Sequence, residues 1–259
     1  MFTKEELAHG LDSRIIGNKF FLFDSLDSTN ACGKTLADAG IEEGAVVLTD
    51  FQTAGRGRNG RSWTSDAGQN LLFSVVLRPT FPKEQATFLT FFSAISIVRA
   101  LEAELKTPLE CKWPNDVLLN GKKFCGILLE NSFQQDKMAY SVVGIGVNVN
   151  QKEFSEDLKD RATSLCFEQK QKFDRKRLFQ KILSEMDKLY ESVRAGDFQA
   201  VMEDWNSHCS MFGKQVRVVK SHETLSGTAV GLSPEGGLVV QTSRGTSTVY
   251  AGDVSILTL

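Results

Sequence analysis

The dipeptide Asn120-Gly121 stands between two apolar runs, 117–119 and 122–131, and it ties this part of the chain to one local geometry. Both residues accept the positive φ of a two-residue hairpin turn, so the pair predicts two adjacent antiparallel strands. A short apolar run at 110–113 precedes them, and 140–150 alternates its side chains as a further strand. Runs at 15–26, 45–51 and 70–77 also read as strands. Between the first two lie Asp27-Ser28-Thr29-Asn30, four good helix N-cap residues that predict a helix to about residue 39. A long helix is predicted over 83–105, with Phe88, Phe91, Phe92, Ile95, Val98, Leu101 and Leu105 on its apolar face. Residues 1–14 are polar with room for one short helix, 151–175 read as irregular, and 176–194 and 198–208 read as amphipathic helices. Past Gly213 the pattern changes to short strands (215–220, 224–232, 236–242, 246–250), with turn chemistry at 233–237 and 243–245. The expected organisation is α+β: a mixed sheet with helices on one face over 1–212, then a small β-barrel over 213–259 that is marginal alone and leans on the larger unit.

The charge balance narrows the function. A formal net charge of −2 argues against a general nucleic-acid binder, which makes any basic cluster a local feature. The N-terminus lacks the basic and apolar regions of a signal peptide. The most apolar stretch, 86–98, is short for a bilayer and carries Thr87, Thr90, Ser93 and Ser96, so it reads as a buried core helix. Five cysteines without a CxxC pair suit free thiols in a reducing compartment. His9, His208 and His222 are isolated, so no all-protein zinc site is expected. A cytoplasmic protein with no membrane partner is the expectation.

Two clusters carry chemistry. Gln52-Thr-Ala-Gly55-Arg56-Gly57-Arg58-Asn59-Gly60-Arg61-Ser-Trp63 hangs three arginines on a glycine-rich loop between two strands. Arginine offers a rigid fork of donors to phosphate or carboxylate, and glycine lets the backbone approach a ligand. Taken alone, the loop is equally a solvated surface loop or a basic arm. Lys112-Trp113-Pro114-Asn115-Asp116 forms a turn, with Lys123 one hairpin away. If both lysines face the arginine loop they make an anion clamp with a carboxylate beside it; the alternative is a Trp-anchored turn with solvated charges. Gly33-Lys34-Thr35 ends like a phosphate-binding P-loop but lacks the leading glycine, since that position is Ser28. Gly144-Ile-Gly146-Val-Asn148 places glycines within a strand, which marks close approach of a ligand or another backbone.

In order along the chain, Asp27-Ser-Thr-Asn, Gln52 with the GRGRNG loop, Gly68-Gln-Asn70-Leu, Lys112-Trp-Pro-Asn-Asp116, Lys123-Phe-Cys-Gly126-Ile-Leu-Leu-Glu130 and Gly144-Ile-Gly-Val-Asn148 resemble the catalytic domain of biotin protein ligases. The tail resembles that family's small SH3-like barrel. The resemblance implies a class II synthetase-like fold and two half-reactions. Biotin and ATP with Mg²⁺ give biotinyl-5′-AMP, and biotin then passes to one lysine of a biotin carboxyl carrier protein. It implies Ser28, Thr29, Gln52, Gly55, Arg56, Arg58 and Gly126 at biotin, and Trp63, Asn70, Lys112, Lys123 and Asn148 at the nucleotide. Lys123, Asp116 and Arg58 would be catalytic: Lys123 bridging the carboxyl oxygen and α-phosphate, Asp116 orienting the acceptor lysine. No protein ligand for metal is implied beyond Mg²⁺ on the ATP phosphates.

Asn59, Thr64 and Cys125 depart from the family pattern. About two dozen residues precede Asp27, too few for a DNA-binding domain plus the first strand, so a ligase without a repressor role or DNA partner is expected, as monomer or homodimer. A lipoate or octanoate ligase or transferase on the same scaffold, and a non-catalytic biotin sensor, are the competing readings.

Overall fold

In the computed structural model, which describes residues 2–11, 13–135, 137–220 and 223–257, the Asn120-Gly121 turn forms with φ of 52° and 76°. His222 and the last two residues of the expected barrel lie outside the described residues. Seven strands make the larger sheet: β1 (Lys19–Phe23), β2 (Ala45–Thr49), β3 (Leu71–Leu77), β4 (Leu109–Lys112), β5 (Asp116–Leu119), β6 (Lys122–Gln134) and β7 (Lys137–Val147). Their order is β1-β2-β3-β7-β6-β5-β4. Only β1 and β2 run parallel; the other neighbours are antiparallel.

Among the described residues six α-helices accompany it: α1 (Lys4–Ala8), α2 (Thr29–Asp38), α3 (Phe88–Leu105), α4 (Leu165–Gln169), α5 (Arg175–Arg194) and α6 (Gln199–His208). Strand β3 is buried throughout, and its alternation divides the core. Phe73 and Val75 belong to the main apolar cluster with residues of α3 and α5, and Phe73 meets Phe179 edge-on at 5.0 Å. Val76 belongs instead to a second cluster with Ala37, Ala45 and Val142. The long helices thus share one face, as expected, whereas α2 lies on the other.

Helix α3 is apolar nearly all round because it runs through the core. A separate 3₁₀ turn at Lys83–Gln85 precedes it. The helical stretch Lys83–Leu105 is 23 residues, long and apolar enough to cross a bilayer, which corrects the shorter length read from 86–98. Burial of 78% of its most apolar window explains that composition by packing. Helix α4 forms inside the stretch expected to be irregular, capped by Ser164.

Five more strands, β8 (Gln215–Val219), β9 (Thr224–Leu232), β10 (Leu238–Thr242), β11 (Gly245–Val249) and β12 (Asp253–Ile256), form an antiparallel sheet ordered β11-β10-β9-β8-β12. Four of them were expected; β12 lies beyond the last strand read from the sequence. Its inward residues Val216, Val218, Ala229, Leu238 and Val240 are buried. Trp113, itself 1% exposed, donates from Nε1 to the Gly236 carbonyl at 3.1 Å, so the hairpin turn of one sheet is bonded to a turn of the other.

Candidate active site

A cleft of about 920 Å³ opens on the α2 side of the larger sheet. The arginine loop, the 112–116 turn, the start of β6 and residues 154–162 wall it, and Asp253, Val254 and Ser255 close one side.

Ser28 and Thr29 enter from the start of α2 and are 2% and 3% exposed. Ser28 occupies the N-cap position, yet its hydroxyl makes no capping hydrogen bond, so the cap explanation for this residue fails. Gln52 Oε1 accepts the Thr29 N–H at 2.8 Å and lies 3.2 Å from Thr29 Oγ1. The arginine loop folds back as a small hairpin, with Gly57 N–H on the Arg61 carbonyl at 2.7 Å and Trp63 N–H on the Gly55 carbonyl at 2.9 Å. A Cβ at Gly55 would stand 2.4 Å from the Trp63 carbonyl oxygen, so glycine is what lets this hairpin close. Gly55 lines an adjoining hollow rather than the main cleft.

The hairpin lays Trp63 on the sheet. Gly126 and Gly146 are register partners across β6 and β7. A Cβ at Gly126 would come within 2.8 Å of the indole, and one at Gly146 within 2.6 Å. The strand glycines were expected to admit a ligand or another backbone; at Gly146 the close approach is made instead by the protein's own indole side chain.

The cations converge as the clamp required. Arg56, Arg58, Arg61, Lys112 and Lys123 all line the cleft. Lys123 Nζ is 2.6 Å from Asp116 Oδ1 and 5.5 Å from the Trp63 ring centroid. Arg56 Nη1 lies 4.0 Å from Glu130 Oε1, and Arg61 pairs with Asp253. Arg58 donates to Asn115 Oδ1 at 3.3 Å. Burial lowers the Arg58 guanidinium below its usual range, and Asp253 and Asp116 pull it back up. Such a set, half-shielded from water, attracts a ligand carrying several negative charges.

Asn148 donates from Nδ2 to the Thr163 carbonyl at 3.0 Å, while its Oδ1 is buried without a partner, as is Trp63 Nε1. Unpaired buried polar atoms cost about 1–3 kcal/mol each, a cost that a polar ligand in this cleft would relieve. Asn70 is placed differently. It is fully buried, holds Gln151 and the Val149 N–H, and does not line the cleft; it fixes the end of β7, beside Asn148.

Several cleft residues carried no sequence signal of their own. Residues 154–162 wall the cleft because Lys123 exchanges backbone bonds with the end of that stretch and the residue after it: its N–H with the Arg161 carbonyl and its carbonyl with the Thr163 N–H, both at 2.9 Å. Asn115, within the Lys112–Asp116 motif, steers Arg58. Asn30 was read as a cap and as the last residue of the Asp27-Ser-Thr-Asn motif, with no role of its own, and Ser74 only as part of a strand.

Residues 22–148 match the model of the biotin/lipoate A/B protein ligase family, and 211–257 match that of the biotin protein ligase C-terminal domain. The bifunctional ligase/repressor BirA of Bacillus subtilis is 35% identical over 256 residues, covering 98% of this chain and 79% of that protein. The biotin–[acetyl-CoA-carboxylase] ligase of Mycobacterium tuberculosis is 30% identical over 233 residues, 88% of this chain and 85% of that one. Among solved structures, the biotin protein ligase of Aquifex aeolicus in complex with biotin and ATP superposes with a TM-score of 0.79 at 32% identity, covering 93% of this chain and 99% of that chain. With Ser28, Thr29, Gln52, the loop arginines and the hairpin lysines converging on one cleft and this likeness along nearly its whole length, the chain belongs to the biotin protein ligase family.

Proposed function

We propose that this chain activates biotin with ATP as biotinyl-5′-AMP, then transfers biotin to a lysine of a biotin carboxyl carrier protein. The observation that carries the reading is the convergence of the loop arginines and hairpin lysines beside the small polar pocket of Ser28, Thr29 and Gln52.

In the first step a biotin carboxylate oxygen attacks the α-phosphorus and the bond to the pyrophosphate oxygen breaks. Two anions must approach each other, so positive charge at the meeting point supplies most of what the protein can add. Lys123 suits the bridging position, Arg58 the developing phosphate charge, and Lys112 and Arg56 the flanks. The ureido end of biotin would lie against Ser28, Thr29 and Gln52 over Gly126, with Gly55 allowing the loop to close. Trp63 and Asn148 would take the nucleotide, with Asn70 acting through the backbone it holds. Mg²⁺ would arrive on the ATP phosphates.

In the second step the acceptor ε-amine attacks the acyl carbon, the amide forms and AMP leaves. An ordinary lysine has a pKa near ~10.4 and is mostly protonated at pH 7. Asp116, 2.6 Å from Lys123 in this structure, would be released from that pairing when Lys123 engages phosphate, and would then receive the incoming ammonium. The net charge of −2 tells against a nucleic-acid acceptor, and five free cysteines support a reducing, cytoplasmic compartment. The division at 212/213, with the adenylating unit first and the barrel second, fits the two sheets.

The test is pyrophosphate release from ATP with biotin, with lipoate or with neither, repeated with Lys123→Ala. Release only with biotin, reduced at least about a hundredfold in the variant, is expected. Release with lipoate instead would overturn the substrate, and biotin binding without release would overturn the enzyme.

A further inference from the structure

Behind the small polar pocket, Asn30 and Ser74 extend Thr29 and Gln52 into a row of four hydrogen-bonded side chains, and neither Asn30 nor Ser74 has a role assigned by the motifs. Asn30 is 3% exposed and Ser74 fully buried. Asn30 inserts its amide over Gly144, where a Cβ would stand 2.0 Å from Asn30 Oδ1. Gly144 lies in register with Ser74 on one side and Leu128 on the other. The glycine is the socket for the asparagine.

The row has a direction. Asn30 Nδ2 donates to the Leu128 carbonyl at 3.2 Å, and that fixes Oδ1 on the Ser74 side. Ser74 Oγ lies 2.6 Å from this Oδ1 and 2.8 Å from Thr29 Oγ1. A hydroxyl has one proton, and an amide oxygen cannot donate, so the Ser74 proton goes to Asn30. Ser74 then offers Thr29 only lone pairs. The other neighbour of Thr29 Oγ1, Gln52 Oε1, is also an acceptor, since it already takes the Thr29 N–H. Both protein neighbours therefore demand the Thr29 proton. Thr29 presents lone pairs to the cleft.

We infer that Asn30 and Ser74 are positioning residues that set Thr29 as an obligate hydrogen-bond acceptor, selecting an N–H-bearing ring such as a cyclic urea. The inference rests on the biotin reading above and concerns how that site recognises its ligand. A dithiolane has no N–H to give, so the same polarity rejects it. A site with a fixed buried acceptor discriminates strongly against a ligand that cannot fill it.

The experiment measures binding of biotin and of the two cyclic carbamates in which one ureido N–H is replaced by a ring oxygen. These keep shape and remove a single donor. The unaltered protein should bind biotin about tenfold or more tighter than at least one carbamate. In Ser74→Ala, Thr29 Oγ1 keeps only the longer contact, 3.2 Å to a Gln52 oxygen that already takes the Thr29 N–H, and its proton can turn toward the ligand, so this preference should shrink to about twofold while ATP affinity is unchanged. Equal affinity of the unaltered protein for biotin and both carbamates would overturn the proposal, with no variant needed. So would a Ser74→Ala protein that weakens all ligands alike and keeps the preference, the mark of a merely structural role. Failure of the unaltered protein to bind biotin at all is a separate result and strikes the underlying reading instead.

Discussion

Cys125 stands directly before Gly126, with the cleft on the far side of its strand. It is fully buried, and burial pushes its thiol well above the usual range, against the pull of Lys123. The thiolate is the reactive form, so this cysteine is a packing group rather than a point of oxidative attack. Cys111 is similarly raised by burial, and Cys209 is pushed up to about 11. Iodoacetamide at pH 8 should therefore label the partly exposed Cys32 and Cys166 well before the other three; mass spectrometry showing early modification of Cys125 would contradict the packing role. The neighbouring glycines carry a sharper expectation. A methyl at Gly146 would stand 2.6 Å from the Trp63 indole, and the sheet cannot recede. In Gly146→Ala the ring must lift, with a change in tryptophan fluorescence and a loss of biotin-dependent pyrophosphate release of about tenfold to a hundredfold. Unchanged emission and rate would mean that the ring does not set the nucleotide side.

At the scale of elements, helix α5 does more than cover the sheet. Asp187, 6% exposed on its buried side, accepts the backbone N–H groups of Arg14, Ile15 and Ile16 at 2.6, 2.8 and 2.7 Å. The carboxylate thus ties the segment before β1 to the helix. Asp187→Ala leaves three amide donors without it and should destabilise the protein by about 3 kcal/mol, read as a lower denaturant midpoint. Asp174→Ala, which removes only the N-cap of the same helix, should cost about 1 kcal/mol; equal losses would mean that the anchor is no stronger than a cap. These features also show where sequence reading reaches and where it stops. The Asn120-Gly121 hairpin and α5 were legible because turn chemistry and apolar period are local. Strand β12 and the wall at 154–162 were not, because each exists only through pairing with a distant strand: β12 with β8, the wall with Lys123. At the site, Lys112, Asp116, Lys123 and the loop arginines were legible as motifs. Asn30 was legible as a motif member but its role was not, and Ser74 not at all, since a buried asparagine and serine acquire meaning only when the fold sets them side by side.

Across the whole molecule the two sheets meet at the cleft, and the joint has unequal parts. One is buried: Trp113 on the Gly236 carbonyl, with Phe91 packed where a Cβ of Gly236 would stand. The other is exposed: Arg61 on Asp253, side chains 65% and 38% accessible. An exposed ion pair contributes only about 0.2–1 kcal/mol to stability, so it does not hold the sheets together. Its location points to a different effect: Arg61 lies in the arginine loop, which under the proposed function would close over a water-labile adenylate. Asp253→Ala should leave the thermal midpoint nearly unchanged, since the buried part of the joint remains. It should release the loop, which would then be cut by trypsin after Arg56, Arg58 or Arg61 several-fold faster than in the unaltered protein. Biotin with ATP should restore protection in both proteins, since the occupied cleft recruits the arginines directly. Faster cutting with an unchanged midpoint would place the barrel in control of the loop. Cutting at the original rate would mean that the hairpin bonds within 55–63 hold the loop unaided, and the second sheet would then act only as a wall.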